Sequence, residues 1–151
     1  MFNPVPLNLP SYPFKIKEQA GKTYIFDEMR KQFLVLTPEE WVRQHLVKFL
    51  INTKRYPKSL IKLEGGLSLN TLQKRSDILL FNNWGQKIML VECKAPGVKI
   101  SQATFDQIAR YNFIHQVKHL VISNGMHHYC CEVNIKEKSY RFLEDIPEYN
   151  F

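Results

Sequence analysis

Two stretches decide the fold, Arg75-Ser76-Asp77-Ile78-Leu79-Leu80-Phe81 and Ile88-Met89-Leu90-Val91-Glu92-Cys93-Lys94. Each is a short apolar run whose length and residue types predict a buried β-strand. The intervening Asn82-Asn83-Trp84-Gly85-Gln86 predicts a turn, because Asn and Gly tolerate the positive φ angles that tight turns need. Pairing residues 78–81 with residues 88–91 in a hairpin brings Asp77 opposite Glu92.

Charged residues at the ends of these strands are the first indication of a functional site. Side chains alternate between the faces of a strand, so Glu92 and Lys94 share one face and Cys93 lies on the other. A buried carboxylate or ammonium is costly unless it is paired or used. Two carboxylates on neighbouring strands can share a hard divalent cation, and a lysine beside them can orient a water for phosphodiester hydrolysis. The alternative is a strand end whose polar residues face solvent.

Composition and charge narrow the class of protein. The 151 residues suit one domain, and a hydrophobic content of 44% argues against disorder. No apolar stretch has the length of a membrane span, and the start Met1-Phe2-Asn3-Pro4-Val5-Pro6 does not resemble a signal peptide, so a cytoplasmic location without membrane partners is expected. The net charge of +7 favours polyanionic partners such as nucleic acid.

The cysteines do not follow a metal-binding or disulfide spacing. Cys130 and Cys131 follow two histidines, in His127-His128-Tyr129-Cys130-Cys131, which raises the alternative of a zinc site. Adjacent side chains on a strand point in opposite directions and the sequence offers no second ligand pair, so a zinc site is disfavoured. Cys93 is expected to be a small core residue.

The order of elements predicts one domain of the α/β (α+β) class. Four prolines in residues 1–13 indicate an irregular arm, taken here as residues 1–20, ahead of a single domain at residues 21–151. Further elements are predicted in this order: a hairpin at 22–27 and 32–36, a helix to Asn52, a strand at 60–69 broken at Gly65-Gly66, a helix at 101–115, a strand at 117–123, and a hairpin at 128–134 and 138–143. This order favours a mixed central sheet flanked by helices.

The first helix has a strong start signal. Thr37 suits the N-cap, Pro38 the first helical position, and Glu40 completes a Thr-x-x-Glu capping box. Its apolar face is formed by Val42, Leu46, Phe49 and Leu50. Physical reasoning favours neither of two roles for Glu39. It can be a carboxylate aimed at the metal site, or an acid that the helix dipole favours.

These residues resemble the PD-(D/E)xK nuclease superfamily. Asp77 matches the first motif acid, with Ser76 where proline would stand, and Glu92-Cys93-Lys94 matches the E-x-K motif. Pro38-Glu39-Glu40-Trp41-Val42-Arg43-Gln44 resembles the helix that opens the N-terminal nuclease domain of type I restriction enzyme R subunits. Gln107-Ile108-Ala109-Arg110-Tyr111 resembles the Q-x-x-x-Y helix of that branch and of RecB-like nucleases.

The resemblance implies a restriction-endonuclease-like core, DNA as the substrate, and Mg²⁺ as the cofactor with Mn²⁺ as a substitute. It implies that Asp77, Glu92 and the backbone carbonyl of Cys93 bind the metal and that Glu39 acts through a metal-bound water. Lys94 would act on the water and the phosphate, and Gln107 and Tyr111 would line the site. The basic residues expected to contact DNA phosphates are Lys74, Arg75, Lys99 and Arg110.

The sequence departs from R subunits in one respect. R subunits carry a motor after this domain, and the sequence has no Walker-type glycine loop, so a separate motor or methyltransferase subunit is the expected partner. A homodimer is left open, as is the dependence of activity on a partner. The alternatives to a Mg²⁺-dependent endonuclease are a DNA- or partner-binding module built on a nuclease fold, and a structural subunit.

Overall fold

The structure, a computed structural model, describes residues 3–64 and 76–150 and contains two β-sheets and two α-helices. The N-terminal sheet consists of β1 (Ile16–Gln19), β2 (Lys22–Asp27) and β3 (Gln32–Val35). The central sheet consists of β4 (Ile61–Glu64), β5 (Ser76–Phe81), β6 (Lys87–Cys93), β7 (His119–Ser123), β8 (His128–Asn134) and β9 (Ser139–Leu143). The helices are α1 (Pro38–Asn52) and α2 (Gln102–Asn112), with 3₁₀ turns at Lys58–Leu60 and Phe113–His115.

The strands of the central sheet lie in sequence order, and β6 and β7 are its parallel pair. All other neighbours in this sheet are antiparallel. Parallel neighbours need a crossover connection, which α2 supplies between β6 and β7. The predicted mixed sheet with flanking helices and a nuclease-like α+β order is therefore confirmed.

The hairpin of β5 and β6 has the predicted register. Ile78 pairs with Val91 and Leu80 with Met89, and a bulge shifts the register at Phe81. The turn closes through a hydrogen bond from the Asn82 amide to the Gln86 carbonyl at 2.9 Å. Gly85 has a φ of 76°, a conformation that glycine adopts without steric cost.

Strand β1 was not expected from the sequence, which indicates an irregular arm up to residue 20. All four of its residues are exposed, so it lacks the alternation that predicts a half-buried strand. Residues 3–13 do form an arm without helix or strand. The arm is held by hydrogen bonds from the Asn8 amide to the Gly125 carbonyl and from the Trp41 indole to the Val5 carbonyl, both at 2.8 Å.

Helix α1 begins as predicted, with one correction. The Thr37 hydroxyl accepts a hydrogen bond from the Glu40 amide at 3.1 Å, which satisfies an amide of the first turn. The Glu40 carboxylate, however, accepts hydrogen bonds from Arg43 and Gln44 and does not complete the predicted capping box within the described residues. A buried guanidinium one turn away is a stronger partner for a carboxylate than a backbone amide.

The central sheet has a hydrophobic core on each face. Helix α1 packs on the face that carries Ile78, Leu80 and Val91, through the fully buried side chains of Val42 and Leu46. Helix α2 covers the other face, where its core residues Phe105, Ile108 and Ala109 pack among Leu79, Leu90, Leu120 and Ile122. This arrangement follows from the period of two in strands β5, β6 and β7.

The three cysteines are buried, as the sequence predicts for Cys93. Cys93 and Cys130 belong to the core under α1, and Cys131 belongs to the core under α2. Burial raises the pKa of the Cys130 and Cys131 thiols to about 12, so both are neutral packing groups near pH 7. In the described part of the chain, no helix combines the length and apolar character that crossing a membrane requires.

Candidate functional site

Glu92 is a buried carboxylate at the end of a central strand. Strand β6 has β5 on one side and β7 on the other, and Glu92 is paired with Asp77 and with Ile122. Only 2% of Glu92 is exposed. Its Oε1 lies 3.7 Å from the Lys94 Nζ, and its buried Oε2 has no hydrogen-bond partner among the residues that the structure describes. An unsatisfied buried carboxylate oxygen is unfavourable, which makes this atom a candidate ligand.

Lys94 links this buried carboxylate to the surface. Its backbone amide donates to the Ser123 carbonyl at 2.8 Å, which extends the parallel pairing of β6 and β7 by one residue. Its side chain is 34% exposed, whereas the Glu92 side chain is 3% exposed. The ammonium group can therefore approach a molecule at the surface while it stays close to Glu92.

The register places two further acids in line with Glu92. Asp77 is paired with Glu92 on one side, as predicted, and with Glu64 on its other side. The side chains of Asp77 and Glu64 lie outside what the structure describes. Glu64 was not identified from the sequence, because the predicted strand at 60–69 gave no information on its register with β5.

Glu39 belongs to the first turn of α1 and is partly buried. Helix α1 packs on the face that carries Val91 and Cys93, whereas Glu92 lies on the opposite face with Leu90. A contact from Glu39 to a metal at Glu92 would therefore pass around the end of the strands. Its role in holding a metal-bound water stays a prediction, as does the alternative of an acid favoured by the helix dipole.

The positions of the predicted site residues on α2 do not define their roles. Gln107 is exposed, on the side of the helix away from Phe105 and Ile108. Tyr111 belongs to α2, but its side chain lies outside the described part of the structure. Lys99 and Arg110 are exposed, and Lys74 and Arg75 lie outside the described residues. The roles of these residues, and of the Cys93 carbonyl, stay predictions.

A second buried charged cluster was missed in the sequence. Arg43, which is 1% exposed, donates from Nη2 to the Asp27 Oδ2 at 2.8 Å and from Nε to the Glu40 Oε1 at 3.0 Å. Gln44 donates to the Glu40 Oε2 at 2.9 Å. Burial lowers the pKa of Arg43, but the hydrogen bonds and charges of Glu40 and Asp27 outweigh it and hold the pKa above its ordinary value.

This cluster, called the Arg43 cluster below, consists of Asp27, Glu40, Arg43 and Gln44. It joins the end of β2 to the start of α1 and so attaches the N-terminal sheet to the helix. The spacing of Glu40, Arg43 and Gln44, three and four residues apart on one helix, is a signal that could have shown that these side chains meet. The partner Asp27, however, is 16 residues away in the sequence and becomes visible only in the folded chain.

Comparison with protein-family models matches residues 38–147 to the family described as Type I restriction enzyme R protein N terminus. The matched region begins at the first residue of α1 and includes all six strands of the central sheet. Neither the curated proteins nor the solved structures compared with the chain include a match.

Proposed function

Because the chain belongs to the family of type I restriction enzyme R protein N-terminal domains, we propose that it is a Mg²⁺-dependent DNA endonuclease of a restriction or DNA-processing system. The observation that supports this most is the buried Glu92 Oε2, which lacks a hydrogen-bond partner within the described residues, at a position paired with Asp77. A carboxylate that only stabilised the fold would be expected to have both oxygens satisfied.

The donor set fits a hard divalent cation. Carboxylate and carbonyl oxygens favour Mg²⁺, and Mn²⁺ is the natural substitute. Glu92 and Asp77 would hold the ion with the Cys93 carbonyl, and Glu39 would contact it through water. When bound, the ion would polarise a phosphoryl oxygen and lower the pKa of a bound water.

The chain's own groups account for the remaining chemistry. The Lys94 ammonium, 3.7 Å from Glu92 and partly exposed, orients the attacking water and stabilises charge that develops on the phosphate. Gln107 and Tyr111 contact the scissile strand or Lys94, and Lys99, Arg110, Lys74 and Arg75 contact neighbouring phosphates. These contacts orient the DNA without reading its sequence.

The family also supports a proposal about partners. The partners would be DNA and a motor or methyltransferase subunit of the same system, since the family belongs to restriction enzymes that act on DNA together with other subunits. Cleavage would then depend on assembly with that subunit.

The test is cleavage of plasmid DNA with Mg²⁺, with the partner subunits present. Glu92→Gln should abolish cleavage and should also abolish Mn²⁺ binding measured by calorimetry. Glu132→Gln is the matched control, because it changes a carboxylate on β8 that pairs with Arg141 at the surface. If the wild-type protein binds DNA and Mn²⁺ but never cuts, and Lys94→Ala only weakens DNA binding, the chain is a non-cleaving DNA-binding module.

A further inference from the structure

A pocket of about 410 Å³ lies between the N-terminal sheet and α1, away from the strand ends that carry Glu92. Its volume falls within the range of about 300–1,000 Å³ that is typical of ligand pockets. Its apolar walls include Phe14, Phe26 and Val47, and it borders the Arg43 cluster through Arg43 and Gln44. Neither the family match nor the proposed nuclease site accounts for it.

The lysines at the pocket differ in whether they already form a salt bridge. The Lys48 ammonium is paired with Glu28 at 2.6 Å. Lys15 and Lys58 are exposed and form no salt bridge with any carboxylate in residues 3–64 and 76–150. The Lys15 Nζ lies 5.6 Å from the centre of the Phe26 ring. Two ammonium groups that form no salt bridge with the described residues therefore lie at an aromatic-walled pocket. Glu28 also lines the pocket, and the hydrogen bond from Lys48, with a smaller contribution from the charge of Lys58, lowers the pKa of its carboxyl.

We propose that this pocket binds a nucleoside phosphate, either a free nucleotide or the phosphorylated end of a DNA strand. The phosphate pairs with Lys15 and Lys58, and the base lies against the aromatic and aliphatic walls. The side chains of Gln44 and Asn52, which also line the pocket, meet the polar edge of the base. An aliphatic carboxylate would satisfy the lysines but would place hydrocarbon against these amides, which is unfavourable.

The Arg43 cluster next to the pocket contains one donor that no described residue satisfies. The Arg43 Nη1 is buried and has no hydrogen-bond partner within the described part of the chain. A buried guanidinium nitrogen normally has an acceptor. Arg43 and Gln44 of this cluster line the pocket, and Lys15 and Lys58 supply positive charge at it.

Calorimetry on the 151-residue chain tests the proposal with dAMP, with a 5′-phosphorylated oligonucleotide, with the same oligonucleotide bearing a 5′-hydroxyl, and with octanoate. The double variant Lys15→Ala/Lys58→Ala should weaken nucleotide binding at least about tenfold, the loss expected when charged contacts to one phosphate are removed. Lys22→Ala is the matched control, since it removes an exposed charge from β2 outside the pocket lining.

A second readout locates the ligand. Trp41 and Trp84 are the two tryptophans, and Trp84 is 77% exposed in the β5–β6 turn. In a Trp84→Phe background, the fluorescence of Trp41, whose ring contacts Phe14 at 5.6 Å between centroids, should change as the nucleotide binds. The Glu92→Gln variant should bind the nucleotide as tightly as the wild type does, because Glu92 does not line the pocket. A failure of the nuclease proposal would therefore not change this result.

Binding of dAMP that depends on the two lysines supports a free nucleotide, and binding confined to the 5′-phosphorylated oligonucleotide supports a strand end. The proposal is overturned if neither phosphorylated ligand binds at millimolar concentration. It is equally overturned if the double variant behaves like Lys22→Ala, or if octanoate binds as tightly as dAMP. The melting temperature of the double variant, whose substitutions are at exposed positions, confirms that it is folded.

Discussion

Glu40 and Glu92 are both buried carboxylates next to a cation, and they differ in how completely they are satisfied. Glu40 is 8% exposed and accepts hydrogen bonds from Arg43 and Gln44. Glu92 is 2% exposed, lies 3.7 Å from one ammonium group, and has one oxygen without a partner in the described residues. The first carboxylate stabilises the attachment of two elements, whereas the burial of the second without a partner for one oxygen is unfavourable for stability.

The difference arises from secondary structure. In a helix, residues three and four positions apart are neighbours, so Arg43 and Gln44 both reach Glu40. In a strand, the nearest residue on the same face is two positions away, so Glu92 has only Lys94 from its own strand. The remaining neighbours of Glu92 must come from adjacent strands, and the register supplies an apolar residue on one side and Asp77 on the other.

The largest expected effect comes from breaking the Arg43 cluster. Arg43→Met should lower the free energy of unfolding by about 3–5 kcal/mol, because it leaves Asp27 and Glu40 buried without their cation. Urea denaturation measures this loss. Lys48→Met is the control on the same helix, because its pair with Glu28 is partly exposed and should contribute less than about 1 kcal/mol. Equal losses in the two variants would mean that the Arg43 cluster does not hold the fold together.

The next largest effect is expected at Lys94, the cation beside Glu92. Lys94→Ala should lower the cleavage rate by about 10²-fold, since its ammonium acts where charge builds in the transition state. Its effect on DNA affinity should be that of one lost phosphate contact, a change of about one unit in the salt slope. Single-turnover cleavage and salt-dependent binding measure the two quantities. A loss of affinity as large as the loss of rate would argue for a binding role.

A smaller effect is expected on the free energy of unfolding, with opposite signs for substitutions of Glu92 and Glu40. Without metal, Glu92→Gln should leave the free energy of unfolding unchanged or raise it by up to about 2 kcal/mol, because it removes a poorly compensated buried charge. Glu40→Gln should lower it, because the buried Arg43 guanidinium loses a charged hydrogen-bond acceptor. Thermal unfolding with and without Mn²⁺ measures both. The comparison fails if Glu92→Gln is the more destabilising change or if it keeps stabilisation by Mn²⁺.

The smallest expected effect is a pH dependence on α1, beside the Arg43 cluster. Burial lowers the pKa of His45, and its hydrogen bond to the Trp41 carbonyl offsets this only in part. The unfolded chain therefore binds a proton at a higher pH than the folded chain does. The resulting stability is fully present above about pH 6.5 and decreases as the pH falls toward the folded-state pKa.

Between about pH 7.5 and about pH 5.5, the melting temperature of the His45→Gln variant should decrease less than that of the wild type. The difference should be equivalent to less than about 1 kcal/mol. His127→Gln is the control, because His127 is exposed in the turn that precedes β8. If both variants follow the wild-type curve, His45 does not contribute to the pH dependence.

Local patterns were sufficient for much of the site and fold. The register of Asp77 with Glu92 could be predicted because alternation and a short turn leave few choices for a hairpin whose faces are both buried. The start of α1 could be predicted because Thr37 and Pro38 act on the backbone next to them. Family membership was visible from Glu92-x-Lys94 and the Val-Arg-Gln helix because motif spacing is a property of the sequence itself.

The sequence by itself therefore determined the helices, the strands other than β1, the hairpin of the two acids and the family of the chain. Only the tertiary structure decided that Glu40 bonds to Arg43 instead of completing a capping box, that Arg43 reaches Asp27, and that β1 pairs with β2. It also decided that one oxygen of Glu92 has no partner among the described residues while Lys94 stays close to the surface. These features depend on side chains brought together from distant parts of the sequence, where burial and competition between partners, and not local backbone preference, select the contact.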